Sequence, residues 1–220
     1  MGDHKAFFYG TRQCPKPSAP ACLTPPSTTG TLMAPAVLHR VCHGTPTPND
    51  FQKSLLTARP ALLPSYRRHK VRFADYPAIL PDVDPAACVR GTFVTGLTDG
   101  DIWRLDLFEG SEYKRERVRV KVLAADGGID AAGVAHHDTK ETGEEVEVET
   151  YVWIAGKHKL EDEEWDFDEF VREKIGRWVG RGANEEYAGT SLTSTYTEVD
   201  DAVAAQGHDP TGGRAGDGWR

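Results

Sequence analysis

The pattern of hydrophobic and polar positions predicts its clearest helix in the middle of the chain, directly after a strand. The β-branched, apolar run 89–94 predicts that strand. Thr98 and Asp101 then have the spacing of a capping box, so we expect a helix to begin there. One buried helical face follows at Ile102, Leu105 and Phe108, with Arg104 and Asp106 turned outward. Gly110 is the residue type that ends helices, which makes Glu109 the last helical residue.

Shorter patterns predict further strands and helices around this central unit. The predicted strands are 5–9, 66–73, 113–123 and 146–154, with a short extended run over 76–80. The predicted helices are 48–58, capped by Thr47, and 166–178, opened by a second capping box at Asp166 and Glu169. We expect the third and fourth of these strands to pair with each other. Strands outnumber helices, and the helices fall between or after them, so the pattern predicts an α+β domain.

Two segments do not fit the pattern of a folded domain. Residues 12–31 contain five prolines and six Ser or Thr residues and predict neither a helix nor a central strand. We interpret them as a 20-residue insertion, because Gly30-Thr31 repeats Gly10-Thr11. Residues 182–220 are poor in hydrophobic residues and predict a disordered tail. The chain is therefore interpreted as one domain over 1–181, followed by that tail.

Composition and charge narrow the function classes. The net charge of −8 is concentrated in residues 136–169, which hold thirteen Asp and Glu against three Lys. This acidity argues against nucleic-acid or anionic-membrane partners. No apolar run approaches the roughly 20 residues that span a bilayer, and the first residues lack the long apolar stretch of a signal peptide. We expect a cytoplasmic protein whose four cysteines, Cys14, Cys22, Cys42 and Cys88, are free thiols.

A metal site is conceivable at His39 and His43, which lie four residues apart with Cys42 between them. The intervening residues do not follow a helical pattern, and no third ligand follows at zinc spacing. We therefore expect ordinary side chains here and no metal.

Glu109 is the candidate for chemistry. Most glutamates are exposed, and a solvated helix end is the simplest interpretation. However, the negative end of a helix dipole disfavours an anion, so the local sequence gives no electrostatic reason for a glutamate there. That dipole and the neighbouring Leu107 and Phe108 are expected to raise its pKa, which would make it a usable base near neutral pH.

The residues around Glu109 resemble a known family. The pattern L-D-x-F-E-G followed by Tyr-x-Arg is met by Leu105, Asp106, Phe108, Glu109, Gly110, Tyr113 and Arg115. It is similar to the signature of the gamma-glutamylcyclotransferase-like family, in particular its avirulence-induced plant branch and fungal relatives. That family opens with a strand ending in Y-G-[ST]-L. Tyr9, Gly10 and Thr11 supply the first part of this motif, and Leu32 and Met33 continue it after the insertion.

The resemblance implies a fold and a reaction. The fold would be a small closed mixed β-barrel flanked by helices, with a pocket at one end. The reaction would be intramolecular aminolysis of a gamma-glutamyl amide, which gives 5-oxoproline and a free amine, with Glu109 as the base and no metal or organic cofactor. The substrate-binding residues would be Tyr9, Gly10, Thr11, Leu32, Met33, Tyr76 and Tyr113.

Two other functions stay open at this point. The same barrel could serve as a catalytically silent binding or stress-response protein, since fold does not determine function. It could also bind an unknown small molecule, with Glu109 only hydrogen-bonded to the backbone. The insertion favours a silent chain, because it separates the two halves of a loop whose backbone must hold a ligand in one geometry. We therefore expect the full chain to be inactive or very weak, and deletion of residues 12–31 to restore activity.

Overall fold

The computed structural model describes residues 2–9, 32, 34–74, 76–124, 141–163 and 165. The predictions for the insertion, for the helix 166–178, for the tail and for the domain limit at residue 181 lie outside these residues.

Within the described residues the chain forms seven strands and three helices. The strands are β1 (His4–Tyr9), β2 (Thr57–Pro64), β3 (Tyr66–Lys70), β4 (Pro77–Pro81), β5 (Cys88–Leu97), β6 (Tyr113–Leu123) and β7 (Glu141–Trp153). The helices are α1 (Pro35–His43), α2 (Asp50–Ser54) and α3 (Asp99–Glu109). Short 3₁₀ turns lie at Gly110–Glu112 and Lys157–Lys159.

Five of the strands close into a barrel in the order β1-β5-β2-β6-β7. Neighbouring strands are antiparallel except at the closure, where β1 and β7 pair in parallel at Ala6 and Glu149. The predicted pairing of the strands on either side of the acidic loop is confirmed, since β6 and β7 pair from Tyr113 with Trp153 onward. The predicted α+β fold with a small closed mixed barrel is therefore confirmed.

Alternation along the strands divides the hydrophobic residues into two clusters. One takes residues from all five barrel strands and fills the interior; it includes Phe7, Leu63, Phe93, Val120 and Val148. The other packs the outer side of β1 and β5 against α1 and α3; it includes Phe8, Val94, Val41, Leu105 and Phe108. Because α3 is packed on the second cluster, its last turn has a fixed position relative to the end of the barrel.

The hairpin of β3 and β4 forms a separate two-stranded sheet that is extended by a third segment. The third segment lies within the acidic run 136–169 of the sequence. The Glu161 amide donates to the Lys70 carbonyl at 2.9 Å, and Leu160 forms a bridge with Val71. Leu160 and Trp165 are both buried, so apolar residues that looked isolated in an acidic run provide the packing.

The predicted helix 48–58 is also wrong in its extent. Helix α2 covers only Asp50–Ser54 and is capped by Asn49 instead of Thr47. Thr57 already begins strand β2, which contains Pro60. Pro60 lies opposite Thr92 of β5, and the pairing of β2 with β6 begins only at the next residue, Ala61.

Helix α1 was missed, because its residues were taken as unlike a helix. Pro35 occupies the first turn, where a proline costs no hydrogen bond, and Gly44 ends the helix in the left-handed conformation at φ 71°. His39 and His43 lie on adjacent turns with their rings stacked at 5.2 Å between centroids. Among the residues that the structure describes, no group of three or more His, Cys, Asp or Glu could hold a metal ion.

Helix α3 begins and ends where the sequence predicts. The Thr98 hydroxyl accepts from the Asp101 amide, and the Asp101 carboxylate accepts from the Thr98 amide at 2.9 Å. The outward orientation predicted for Arg104 is wrong, since its side chain is only 2% exposed. Arg104 donates to the Asp101 carboxylate at 2.7 Å and to the Cys42 carbonyl at 2.9 Å. This buried charge therefore joins α3 to the end of α1.

The two cysteines that the structure describes differ in state. Cys42 is buried and forms no disulfide bond. Cys88 is disulfide-bonded, and its partner lies outside the described residues, so the expectation of four free thiols is wrong. In the part of the chain that the structure describes, no helix is both long enough and apolar enough to cross a membrane.

The Arg104 pair gives a test of how α1 and α3 are held together. We expect Arg104→Met to lower the free energy of unfolding by about 3 kcal/mol, because it leaves the Asp101 carboxylate buried without its cation. Urea denaturation measures this, and Arg119→Met on the exposed side of β6 is the control, with an expected change below about 0.5 kcal/mol. Equal effects of the two substitutions would show that the buried pair is dispensable.

Candidate active site at the end of helix α3

Glu109 is the last residue of α3, and the chain turns sharply after it. Gly110 has φ 70° and ψ −167°, a conformation that a residue with a side chain rarely adopts. A Cβ at Gly110 would meet nothing within 4 Å, so the glycine is required by the backbone conformation and not by space. The turn leads through the 3₁₀ segment into β6, and it leaves the Glu109 side chain partly buried at the end of the barrel.

Strand direction brings three tyrosines to this end of the barrel. Tyr9 is the last residue of β1, and Tyr151 lies near the end of β7, which runs parallel to β1. Tyr113 is the first residue of β6, which runs antiparallel to β7. A fourth tyrosine, Tyr76, precedes β4 and makes an edge contact with Tyr113 at 6.3 Å between ring centroids. We refer to Tyr9, Tyr76, Tyr113 and Tyr151 as the tyrosine cluster.

Each hydroxyl in the tyrosine cluster donates to an acceptor of the protein itself. Tyr9 donates to the carbonyl of Tyr151 at 2.8 Å, and Tyr113 donates to the carbonyl of Pro77 at 2.9 Å. The two remaining hydroxyls donate to carboxylates, Tyr76 to Glu112 at 3.2 Å and Tyr151 to Asp106 at 2.8 Å. These bonds fix the rings and leave largely aromatic surface next to Glu109.

The pKa of Glu109 is raised from its ordinary value of 4.5 to about 8. Removal from water is the larger cause, because burial penalises the charged form of a carboxyl. The negative charge of Asp106, three residues earlier on the same helix, is the second cause. The direction agrees with the sequence-based expectation, whereas Asp106 was not foreseen as a cause. A carboxyl with this pKa accepts and releases a proton near neutral pH.

The pKa of every hydroxyl in the tyrosine cluster is raised above its ordinary value. Burial is the largest cause for each, and the charge of Glu109 adds to it in all four. The four phenols therefore stay neutral at physiological pH and place no second negative charge beside the Glu109 carboxylate.

Two basic residues, Arg115 and Lys159, form ion pairs next to the tyrosine cluster, and the sequence predicted neither set of contacts. Arg115 contacts Asp106 at 3.0 Å and Glu149 at 2.9 Å, and so joins α3, β6 and β7. Lys159 contacts Glu112 at 2.7 Å on the opposite side, where Tyr76 also donates. Asp106 and Arg115 both belong to the L-D-x-F-E-G and Tyr-x-Arg pattern, but nothing in that pattern indicates that they pair with each other.

The structure brings together most of the residues predicted for the site. Tyr9, Tyr76 and Tyr113 lie close enough to Glu109 for its charge to raise the pKa of their hydroxyls. Tyr151 also belongs to the tyrosine cluster, although the sequence predicted it only as part of a strand. Leu32 is buried in the same hydrophobic cluster as Phe108 and Tyr151. Gly10, Thr11 and Met33 lie outside the described residues.

The raised pKa of Glu109 predicts how stability depends on pH. The folded protein binds this proton more tightly than the unfolded chain, so Glu109 destabilises the fold increasingly as pH rises from about 4.5 to about 8. Glu109→Gln removes this effect and is expected to be more stable than the parent at pH 8, on the order of 3 kcal/mol, with little difference at pH 5.

Urea unfolding of both proteins at the two pH values measures the effect. Glu147→Gln removes an exposed carboxylate of β7 and reports the influence of overall charge alone. A stabilisation by Glu109→Gln that is the same at pH 5 and pH 8 would contradict a raised pKa.

Comparison with known proteins gives matches to one family. Residues 28–167 match the family model described as "Gamma-glutamyl cyclotransferase, AIG2-like". "Protein AIG2 C" of Arabidopsis thaliana is 33% identical over 111 residues, which are 50% of this chain and 56% of that protein. "AIG2-like protein C" of the same plant is 34% identical over 113 residues, 50% of this chain and 53% of that protein. The chain thus spans about half the length of the curated relatives it matches.

Solved structures of Arabidopsis thaliana proteins are also similar. One solution structure has a TM-score of 0.45 at 23% identity and covers 80% of this chain and 86% of its own. Another has a TM-score of 0.43 at 20% identity, with 85% and 94% covered. The family match alone extends over more than half of the chain and includes the whole of α3. The chain therefore belongs to the gamma-glutamyl cyclotransferase, AIG2-like family.

Proposed function

We propose that the protein is a gamma-glutamylcyclotransferase that converts a gamma-glutamyl amide into 5-oxoproline and a free amine. The observation that carries the proposal is the partly buried Glu109, whose pKa is raised to about 8 at the end of a barrel in a member of this family. The proposed binding partner is a small gamma-glutamyl compound, and the proposed reaction uses no cofactor. The proposed location is the cytoplasm.

The reaction needs a base because the substrate's α-ammonium cannot attack while it is protonated. Glu109 takes that proton, and the α-nitrogen then forms a bond to the side-chain carbonyl carbon of the same substrate. The resulting tetrahedral centre carries its negative charge on oxygen. The attacking nitrogen of this centre carries a positive charge and still holds two protons. When the centre collapses, the bond to the departing nitrogen breaks and the proton held by Glu109 goes to that nitrogen. Glu109 then takes the second proton from the ring nitrogen and passes it to the free amine, which leaves as an ammonium. Atoms and charge balance without water or a metal.

The tyrosine cluster supports this chemistry by its neutrality and its rigidity. The hydroxyls of Tyr9 and Tyr113 already donate to backbone carbonyls, so these residues act as walls of the pocket instead of proton donors. Tyr76 is a wall of the same kind, held by Glu112. A pocket with aromatic walls keeps water away from the base and maintains its raised pKa.

Backbone donors for the negative oxygen are proposed in the loop after β1. Gly10 and Thr11 follow Tyr9 directly in the chain, and Leu32 with Met33 continues after the insertion. Tyr9 packs against the hydrophobic residues of the barrel interior. Leu32 is buried in the other hydrophobic cluster, which also includes Tyr151. The two ends of the proposed loop thus both lie at the end of the barrel that carries Glu109, which suits amide groups acting together on one oxygen.

Glu109→Gln tests the role of the base, and it is made in the chain lacking residues 12–31 because the full chain is expected to be inactive or very weak. The amide keeps the shape of the side chain but cannot accept the amine proton, so we expect loss of turnover by roughly 10²–10⁴-fold with the fold intact. Release of 5-oxoproline from gamma-glutamyl amines measures turnover, and circular dichroism measures the fold. Glu147→Gln, which removes a carboxylate far along β7, is expected to keep activity. Equal rates for Glu109→Gln and the parent would exclude Glu109 as the base.

Deleting the insertion tests whether it blocks the site. Removal of residues 12–31 joins Thr11 to Leu32, and removal of residues 10–29 joins Tyr9 to Gly30, so both deletions give the same protein. The family match begins at residue 28 and therefore includes the second Gly-Thr pair. We expect the full chain to be inactive or very weak and the deletion to restore turnover by roughly 100-fold or more, since misplacement by 1 Å costs about that factor.

The outcomes of this deletion separate the candidate functions. Full activity in the intact chain, with no gain on deletion, would mean that the loop is built despite the insertion. Two folded but inactive proteins would instead favour the silent binding barrel, and would argue against the proposed enzyme.

A further inference from the structure

The Asp106 carboxylate is held from two sides by residues of the barrel strands. Arg115 of β6 contacts one oxygen through Nε at 3.0 Å and donates from its terminal nitrogen to the other at 3.3 Å. Tyr151 of β7 donates its hydroxyl to Asp106 at 2.8 Å and is only 4% exposed. A carboxylate that accepts two hydrogen bonds and also lies 3.0 Å from a guanidinium nitrogen has a fixed orientation.

Arg115 is itself anchored beyond Asp106. Its second terminal nitrogen lies 2.9 Å from the Glu149 carboxylate, and His4 of β1 lies 3.5 Å from the same oxygen. Because β1 and β7 close the barrel at Glu149, the guanidinium is attached to the barrel seam and cannot follow Asp106 if α3 moves. The network therefore sets the position of the last turn of α3 relative to the strands.

Asp106 lies one helical turn before Glu109, so its charge acts on the base over a short distance. The groups that face Glu109 from the other elements are the tyrosine cluster of β1, β6, β7 and the segment before β4, and all four phenols stay neutral. Glu112 and Lys159 form a pair behind Tyr76. Among the described residues, Asp106 is thus the charged group that acts on Glu109.

We propose that Arg115 and Tyr151 are positioning residues, which act through Asp106 to fix the charge and the distance that tune Glu109. The inference rests on the proposed role of Glu109 as the base. Neither residue is proposed to contact the reacting atoms. Their effect is to hold the Asp106 carboxylate in place, one helical turn before Glu109.

The titration of Glu109 itself tests the proposal without requiring turnover. In the full chain labelled with ¹³C-carboxyl glutamate, the Glu109 signal is identified by its loss in Glu109→Gln, and its midpoint is expected near pH 8. Asp106→Asn should move the midpoint down, on the order of 1 pH unit, because a negative charge is removed. Arg115→Gln should move it up by a similar amount, because Asp106 is left without its cation.

Matched variants separate positioning from general damage. Arg115→Lys keeps the charge and should hold the midpoint close to the parent, although it loses the fork. Tyr151→Phe should give a smaller upward shift, since one donor to Asp106 is lost. Arg117→Gln removes an exposed cation two residues further along β6 and should leave the midpoint unchanged. Loss of stability alone cannot move the midpoint in opposite directions for Asp106→Asn and Arg115→Gln.

The combined variant decides whether Arg115 acts through Asp106. In an Asp106→Asn background, Arg115→Gln should shift the midpoint less than it does in the parent, because the part of its effect that acts through Asp106 is lost. An undiminished upward shift in that background, or an unchanged midpoint in both single variants, would overturn the proposal. Turnover of the same substitutions in the chain lacking residues 12–31 is a separate readout: unaffected rates in Glu109→Gln would refute its role as the base, whereas the titration reports on the network in either case.

Discussion

The structure depends on holding a carboxylate at the end of α3 in a place where a carboxylate is poorly solvated. Burial and the negative end of the helix dipole both disfavour the anion at Glu109. The helix is kept in place by other groups: the Thr98 capping box at its start, the hydrogen bond from the buried Arg104 to the Cys42 carbonyl of α1, and the apolar residues packed beneath it. Because these contacts are independent of Glu109, the fold can tolerate an unfavourable charge at its last turn.

The closed barrel supplies the surroundings of this carboxylate. Only the parallel pairing of β1 with β7 brings the ends of both strands, and so Tyr9 and Tyr151, to the same side as the start of β6. Their hydroxyls are bonded to fixed acceptors, so the rings cannot turn a donor toward Glu109 without losing a hydrogen bond. The barrel therefore provides a rigid and neutral environment, which is what a base with a raised pKa needs.

Local signals made α3 predictable, and non-local contacts explain what the sequence left out. The capping box and Gly110 act within a few residues, so the helix limits and the place of Glu109 could be read directly. Burial of Arg104 depends on a carbonyl 62 residues away in the chain, and periodicity alone placed it outward. The same holds for Tyr151 with Asp106, which lie 45 residues apart. Strand β2 was missed because its prolines disfavour a strand locally and its partners, β5 and β6, lie far away in the chain.

The separation between Glu109 and the nearest cation of the network has a physical reason. A guanidinium in direct contact with Glu109 would stabilise its charged form, lower its pKa and remove its ability to hold a proton near neutral pH. Arg115 avoids this because it contacts the Asp106 carboxylate instead of Glu109. Its positive charge therefore lowers the pKa of Glu109 less than a direct contact would. A negative neighbour that is itself held and partly neutralised gives a moderate upward shift. An unpaired one would add its full repulsion to the effect of burial, and a base that is protonated throughout the physiological range could not accept the substrate's proton.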